Sequence, residues 1–213
     1  MNIELWFDVV CPWCYLGKHR LETVLRDFPG EVTITGRAYQ LDPAPVPPGV
    51  PLRAAMVAKV GDTERAGQML AQVTELAAAD GLVLDFDRAV AANTFDAHRL
   101  VAWAAGQDLQ LLMIETLQRA HFEQGIDIGS HAELARLAGA VGLDEAAALA
   151  YLASPTGTEA VNADLAEARE LGITSVPTFV IDRKFVVQGA QETTVLRSAL
   201  EEIMRREAVD TAR

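Results

Sequence analysis

Near its amino terminus the hydrophobic pattern of the chain switches from strand to helix and back to strand. Ile3, Leu5, Phe7 and Val9, with Trp6 and Val10, make a short β-favouring run over residues 2–9, the mark of a buried strand. Leu16, Leu21, Val24, Leu25 and Phe28 fall near helical spacing over 12–28, and Pro29-Gly30 stops that helix. Val32, Ile34, Gly36 and Ala38 then alternate with Thr33 and Thr35 through 31–39, a second strand. A β-α-β opening places the chain in the α/β class.

The middle of the chain is different. Five of the nine prolines lie between Pro43 and Pro51, an extended, semi-rigid stretch that suits a boundary. From about 55 to 157 the signals are helical. Met69, Val73, Leu76 and Ala77 share one face, and Leu109, Leu112, Met113, Leu117 and Ala120 share another. Ser130 and Glu133 form a capping box ahead of Leu134, Leu137, Ala138 and Val141. From 158 a helix runs to Gly172. Thr178–Ile181 and Phe185–Val187 then flank Asp182-Arg183-Lys184 as a β-hairpin, and a last helix carries Val195, Leu196, Ala199, Leu200 and Ile203. The pattern divides into a discontinuous α/β unit, 1–43 with 158–213, and an inserted helical unit, 44–157.

Composition narrows the function. Half of the 213 residues are hydrophobic and 23% are charged, which excludes a disordered or fibrous chain. The formal charge of −12 argues against nucleic acid, whose phosphates need clustered Lys and Arg. Residues 44–157 hold 14 acids against 7 bases, so the helical unit carries most of the negative charge. Only two cysteines occur, too few for a disulfide-stapled scaffold. No apolar run is long enough to span a bilayer, and the amino terminus lacks a basic n-region. The expected location is cytoplasmic, with no membrane partner, as a monomer or homodimer.

Both cysteines belong to Cys11-Pro12-Trp13-Cys14, between the first strand and the first helix. Cys-X-X-Cys beside a β-α-β unit is a redox signature. Cys11 is expected at the N-cap and Pro12 at the first helical position, where a missing N–H costs nothing. The amides of Trp13 and Cys14 are then expected to point at the Cys11 sulfur and, with the helix dipole, to favour its thiolate. Cys14, one turn in, is placed to attack a mixed disulfide at Cys11. Cys11 is expected to be accessible and Cys14 shielded. A zinc site lacks a second Cys pair, and a structural disulfide across so small a loop contributes little, so metal is not expected.

Val176-Pro177-Thr178-Phe179 is the second feature. Taken alone, an X-Pro bond is trans. With Cys-X-X-Cys upstream, a proline entering this strand is expected cis and facing the Cys pair, as in thioredoxin folds. The Val176 main chain is then free to pair with a bound peptide or glutathione.

Trp6-Phe7-Asp8 ahead of Cys11-Pro12-Trp13-Cys14-Tyr15, Gly17, Asn93-Thr94 with His98-Arg99-Leu100, Gly172-Ile173, Val176-Pro177-Thr178-Phe179 and Gly189-Ala190-Gln191 occur in this order. This set resembles the FrnE-like branch of the DsbA-family thiol–disulfide oxidoreductases and covers nearly the whole chain. The resemblance implies a thioredoxin fold with an inserted α-helical domain, a cis bond before Pro177, nucleophile and resolving roles for Cys11 and Cys14, and no required cofactor. Ser175 departs from the Gly often found before Val-Pro, and the further Cys pair of some members is absent. The related 2-hydroxychromene-2-carboxylate isomerases and kappa-type glutathione transferases typically have Ser where Cys11 stands. Both thiols here favour dithiol–disulfide exchange on protein or small-molecule disulfides. A glutathione-dependent isomerase or transferase is the alternative, and glutathione is a candidate co-substrate.

Pro12, Trp13, Val176, Pro177 and His98 are the expected substrate contacts. His98 also fits a purely structural histidine, on a face with Phe95, Arg99 and Ala102. Asp8 either orders the strand-to-helix turn or relays protons to the thiols. Lys18, His19 and Arg20 read as a solvated face, and Asp85, Asp87, Glu201 and Glu202 as surface charge. The acidity of the helical unit suggests an acidic wall beside Cys11.

Overall fold

The structure is a computed structural model and describes residues 1–211. It runs β1 (Asn2–Phe7), α1 (Pro12–Leu25), β2 (Thr33–Ala38), α2 (Leu52–Val60), α3 (Thr63–Ala79), α4 (Phe95–Ala105) and α5 (Gln110–Phe122). There follow α6 (His131–Ala140), α7 (Glu145–Ala153), α8 (Thr158–Glu170), β3 (Thr178–Ile181), β4 (Phe185–Gln188) and α9 (Thr193–Thr211).

The sheet has the order β2-β1-β3-β4. The α1 crossover lets β1 lie parallel to β2, while β3 returns antiparallel on the other side, with Leu5 opposite Gly36 and Phe179. The β3–β4 hairpin closes through Asp182 and Arg183, both at positive φ, 49° and 56°. Left-handed backbone at both central positions matches the twist of the paired strands. The Asp182 carboxylate also accepts the Asn2 amide at 2.7 Å, tying the turn to β1.

One face of the sheet, with Ile3, Leu5, Phe7, Phe179 and Ile181, packs into a core shared with α1, α9 and the helices from α4 to α7. Leu100, Met113, Ile114 and Leu117 belong to this same cluster. The change of composition at 44 and 158 therefore does not interrupt the apolar core. Hinge motion across those two crossings is opposed by this shared burial. On the other face Trp6 and Val180 meet Ala168 of α8. A second cluster joins Tyr15 and Leu16 of α1 to Leu70, Val73 and Ala77 of α3 and to Phe122.

The Pro-rich stretch is fastened at both ends. Asn93 donates to the carbonyls of Pro43 and Ala44 at 3.0 and 3.1 Å, and Leu52 and Ala89 are joined through their main chains. Three residues that spacing groups with the apolar faces of their helices, Met69, Leu112 and Val195, are 45%, 49% and 48% exposed. On α3 the buried stripe is Ala66, Leu70, Val73 and Ala77. On α5 it runs through Met113, Ile114 and Leu117 and includes two polar residues, Gln118 and His121. Apolar spacing alone sets such a stripe only to within a residue or so.

Candidate active site

The end of β1 hands the chain to α1 through Asp8, Val9 and Val10. The Cys11 amide donates to the Asp8 carbonyl at 3.1 Å, which closes this turn. Cys11 is the N-cap, with extended backbone, and Pro12 opens the helix. The sulfur receives no capping hydrogen bond. The amides of Cys14 and Tyr15 donate instead to the Cys11 carbonyl, at 3.0 and 3.2 Å. The expected direct donation from Cys14 to the thiol is therefore absent, because this amide is taken by the Cys11 carbonyl.

Both thiols are free, and Cys11 is only 4% exposed against 0% for Cys14. The expected contrast in accessibility is narrow: Cys11 sits in a core cluster against which Val10, Trp13 and Val176 pack. Pro12 and Trp13 are half-buried at its edge. The Cys14 pKa is raised well above the usual thiol range, first by burial and then by the adjacent Cys11; a backbone hydrogen bond from Asp8 opposes this. Cys14 thus keeps its proton until chemistry removes it.

Across from α1, the Cys11 thiol points at the Val176 carbonyl, with sulfur and oxygen 3.8 Å apart. The Val176–Pro177 peptide is cis. Gly17 lets the two segments meet, since a Cβ there would lie 2.8 Å from Pro177 Cγ. Ser175 is held where it stands: its hydroxyl accepts from Gln188 at 2.7 Å and its carbonyl from the Thr178 hydroxyl at 2.8 Å.

His98 does not border an open groove. It is 2% exposed, and its Nε2 lies 3.0 Å from the Tyr39 carbonyl and 3.4 Å from Asp8 Oδ1. The substrate contact expected of His98 is corrected to a buried contact with Asp8, because α4 packs its His98 face into the core. Asp8, 1% exposed, takes the Leu41 amide on Oδ2 at 2.7 Å. It therefore orders the turn, and its other oxygen faces the buried interior. Arg99, expected on the same helical face as His98, holds the chain after α7 by donating to the carbonyls of Tyr151, Leu152, Ser154 and Thr156.

Lys18 and Arg20 are also corrected. They are 2% and 4% exposed, not a solvated face. Lys18 pairs with Glu22 and Glu115 at 2.8 Å each, and Arg20 with Asp80 at 2.5 Å. Half-buried His19 stays nearer the surface. The partners Asp80 and Glu115 come from beyond α3 and from α5, so nothing local in the sequence announces them. Beside Cys14, the Tyr15 hydroxyl donates to Glu123 at 3.0 Å, and burial with Glu115 and Glu123 pushes its pKa up. Asp85 caps its own turn, accepting from the Asp87 and Arg88 amides, and Asp87 and Glu202 pair with surface arginines.

Sequence reading missed Gln118 and His121. Both are fully buried, and neither side chain has a hydrogen-bond partner among the described residues. The available signal was two polar residues, three positions apart, on an otherwise apolar helical stripe. No group of described residues could hold a metal ion. No described helix is long and apolar enough to cross a membrane.

A β2-β1-β3-β4 sheet with Cys-X-X-Cys heading α1 defines a thioredoxin fold. Residues 2–201 match the DSBA-like thioredoxin domain, and the chain belongs to this family of DsbA-like thiol–disulfide oxidoreductases. A probable DsbA oxidoreductase of Streptomyces coelicolor is 35% identical, with a TM-score of 0.88 over 95% of this chain and 89% of that one. A 2-hydroxychromene-2-carboxylate isomerase has a TM-score of 0.73 at 19% identity, covering 98% of each chain. The cytosolic disulfide reductase DsbM of Pseudomonas aeruginosa has a TM-score of 0.65 at 23% identity, over 96% of this chain and 99% of that one, and has also been solved with GSH.

Proposed function

We propose that this protein exchanges dithiols and disulfides through Cys11 and Cys14, acting on protein, peptide or small-molecule disulfides in the cytoplasm. The observation that carries this is the pairing of an N-cap thiol, facing the main chain before Pro177, with a buried thiol one turn later. In the reducing direction the Cys11 thiolate attacks one sulfur of the substrate disulfide. A Cys11–substrate bond forms and the other substrate sulfur leaves with the electron pair, taking a proton from water. Cys14 then loses its proton and attacks Cys11. The Cys11–Cys14 bond forms, the second substrate thiol departs, and two electrons have passed from the protein to the substrate.

Pro12, Trp13, Val176 and Pro177 form the docking edge. The Val176 main chain lies beside the reacting sulfur and suits strand-like pairing with an extended peptide or with glutathione. No cofactor is required, since a low-molecular-weight thiol such as glutathione restores the dithiol. The DsbM likeness favours the reducing direction and glutathione as co-substrate.

Rapid-quench mass spectrometry with a peptide disulfide tests this. Cys11→Ser is expected to give no adduct, and Cys14→Ser to accumulate the peptide on Cys11. Turnover that survives Cys14→Ser and depends on glutathione refutes dithiol exchange and favours the isomerase or transferase alternative.

A further inference from the structure

Arg20 lies on α1 one turn past Gly17 and shares a helical face with Gly17 and Trp13. It is 4% exposed, and each guanidinium nitrogen has its own partner. Nε donates to Asp80, the C-cap of α3, at 2.5 Å. Nη1 donates to the Ala190 carbonyl at 2.9 Å, and Nη2 lies 3.2 Å from Glu192 Oε1. The Glu192 carboxylate is largely exposed, so that third contact contributes little. The contacts to Asp80 and Ala190 fix the guanidinium, and they tie α1 to segments 60 and 170 positions away.

The loop that Arg20 grips also holds Pro177. The Gly189 amide donates to the Pro177 carbonyl at 2.8 Å. Ala190 rests against α1, its Cα 3.4 Å from where a Cβ on Gly17 would stand, and it packs on the same apolar cluster as Trp13. Gln191 stiffens the loop, its amide donating to the Gly189 carbonyl at 2.9 Å and its side chain to the Gln188 carbonyl at 2.8 Å. A buried ion pair adds little net stability over an apolar side chain of similar size. An apolar side chain, however, cannot hold a carboxylate and a main-chain carbonyl at fixed distances together. A lysine, with one ammonium, does not reproduce the planar fork.

We propose that Arg20 is a positioning residue for the docking edge: its guanidinium pins the Gly189–Glu192 loop between α1 and the end of α3, and so fixes Pro177 and Val176 where an extended peptide pairs with them. The inference rests on the exchange reading above. A shift of this loop moves Pro177 through the Gly189 hydrogen bond and loosens the seat of Val176, whose carbonyl faces the Cys11 sulfur at 3.8 Å. A peptide that pairs with the Val176 main chain senses that shift in its binding. A small disulfide that only reaches the sulfur does not. Arg20 touches neither thiol nor substrate, so it governs the KM for peptides and leaves the reactivity of Cys11 alone.

The test uses the whole protein, reduced, with two uncharged substrates, so that altered charge beside Asp80 and Glu192 does not bias the result. One is 2,2′-dithiodipyridine, which reports attack by Cys11 alone, and the other is a neutral peptide disulfide. Arg20→Lys and Arg20→Met are expected to react with 2,2′-dithiodipyridine within about twofold of wild type, while the KM for the peptide rises about tenfold with kcat little changed. Tenfold is the factor that corresponds to one lost hydrogen bond, and a rise in KM alone marks lost binding. An unchanged peptide KM in a folded variant overturns the inference. So does equal slowing with both substrates. Full recovery of the peptide KM in Arg20→Lys assigns the effect to charge and overturns the pinning role. Loss of the folded state in both variants assigns Arg20 to the fold alone. A wild-type protein that reacts with neither disulfide refutes the exchange reading, and this inference with it.

Discussion

Substituting Gly17 by alanine pits two opposed effects of known scale against each other. Within α1, alanine is favoured over glycine by about 1 kcal/mol. The new Cβ would lie 2.8 Å from Pro177 Cγ, 3.4 Å from Ala190 Cα and 3.5 Å from Ala190 Cβ. Carbon atoms prefer about 3.5–4.0 Å, so α1 and the Pro177 segment must part by roughly 1 Å. Pro177 is a closed ring on a buried strand entrance and cannot swing aside as a long side chain would. Overpacking of this kind costs about 1–3 kcal/mol, which leaves a net destabilisation of about 0–2 kcal/mol. The displacement falls on Val176, whose carbonyl faces Cys11 at 3.8 Å, and a misplacement of about 1 Å can cost up to about a hundredfold in rate. Gly17→Ala is therefore expected to lose between about tenfold and a hundredfold in disulfide-reductase turnover while its urea midpoint falls by no more than about 1 M. Gly67→Ala on α3 is the control, since nothing lies within 4 Å of a Cβ there. It is expected to gain up to about 1 kcal/mol and keep full activity. If Gly17→Ala behaves like Gly67→Ala in both assays, the close approach of α1 to Pro177 does not govern the site.

Three further outcomes are expected. The folded-state pKa of His121 is pushed from 6.5 to about 4, so the unfolded chain binds its proton first. The associated stability is full above about pH 6.5 and falls by about 3 kcal/mol as the pH drops toward 4. Urea titrations across this range should flatten in His121→Leu, and an unchanged slope refutes the assignment. Arg99→Met strips donors from the buried carbonyl of Leu152 and from those of Tyr151, Ser154 and Thr156, and should cost about 3–5 kcal/mol in urea unfolding, with a loss under about 1 kcal/mol counting against the clamp. Glu115 and Glu123 stand beside Tyr15 near the Cys pair, so acidic peptide disulfides should react more slowly than basic ones at low salt, and the ratio should approach one as salt rises. A ratio near one at both salts removes the acidic wall.

The sequence alone determined everything local about this protein. Period and punctuation are read over a few residues, so the β-α-β opening, the hairpin through Asp182 and Arg183 and the Ser130 N-cap were all legible, although Glu133 turns its carboxylate to Arg136 instead of closing the capping box. Cys11 at the N-cap and Pro12 at the first helical position follow from the same local rules. The ordered landmarks from Trp6 to Gln191 carried the fold family, since together they span both halves of the sheet. Only the tertiary structure decided which polar residues lie inside. Lys18 and Arg20 look solvent-facing along α1, yet Glu115 and Asp80 reach them from 97 and 60 residues away. His98 is turned inward by the Tyr39 carbonyl and Asp8, and Arg99 by carbonyls more than 50 residues downstream. Gln118 and His121 sit on an apolar stripe that hints at their depth, but helical spacing states which residues share a face and not what that face meets. Burial is a property of packing among distant segments, and the chemistry behind Cys14 is set by it.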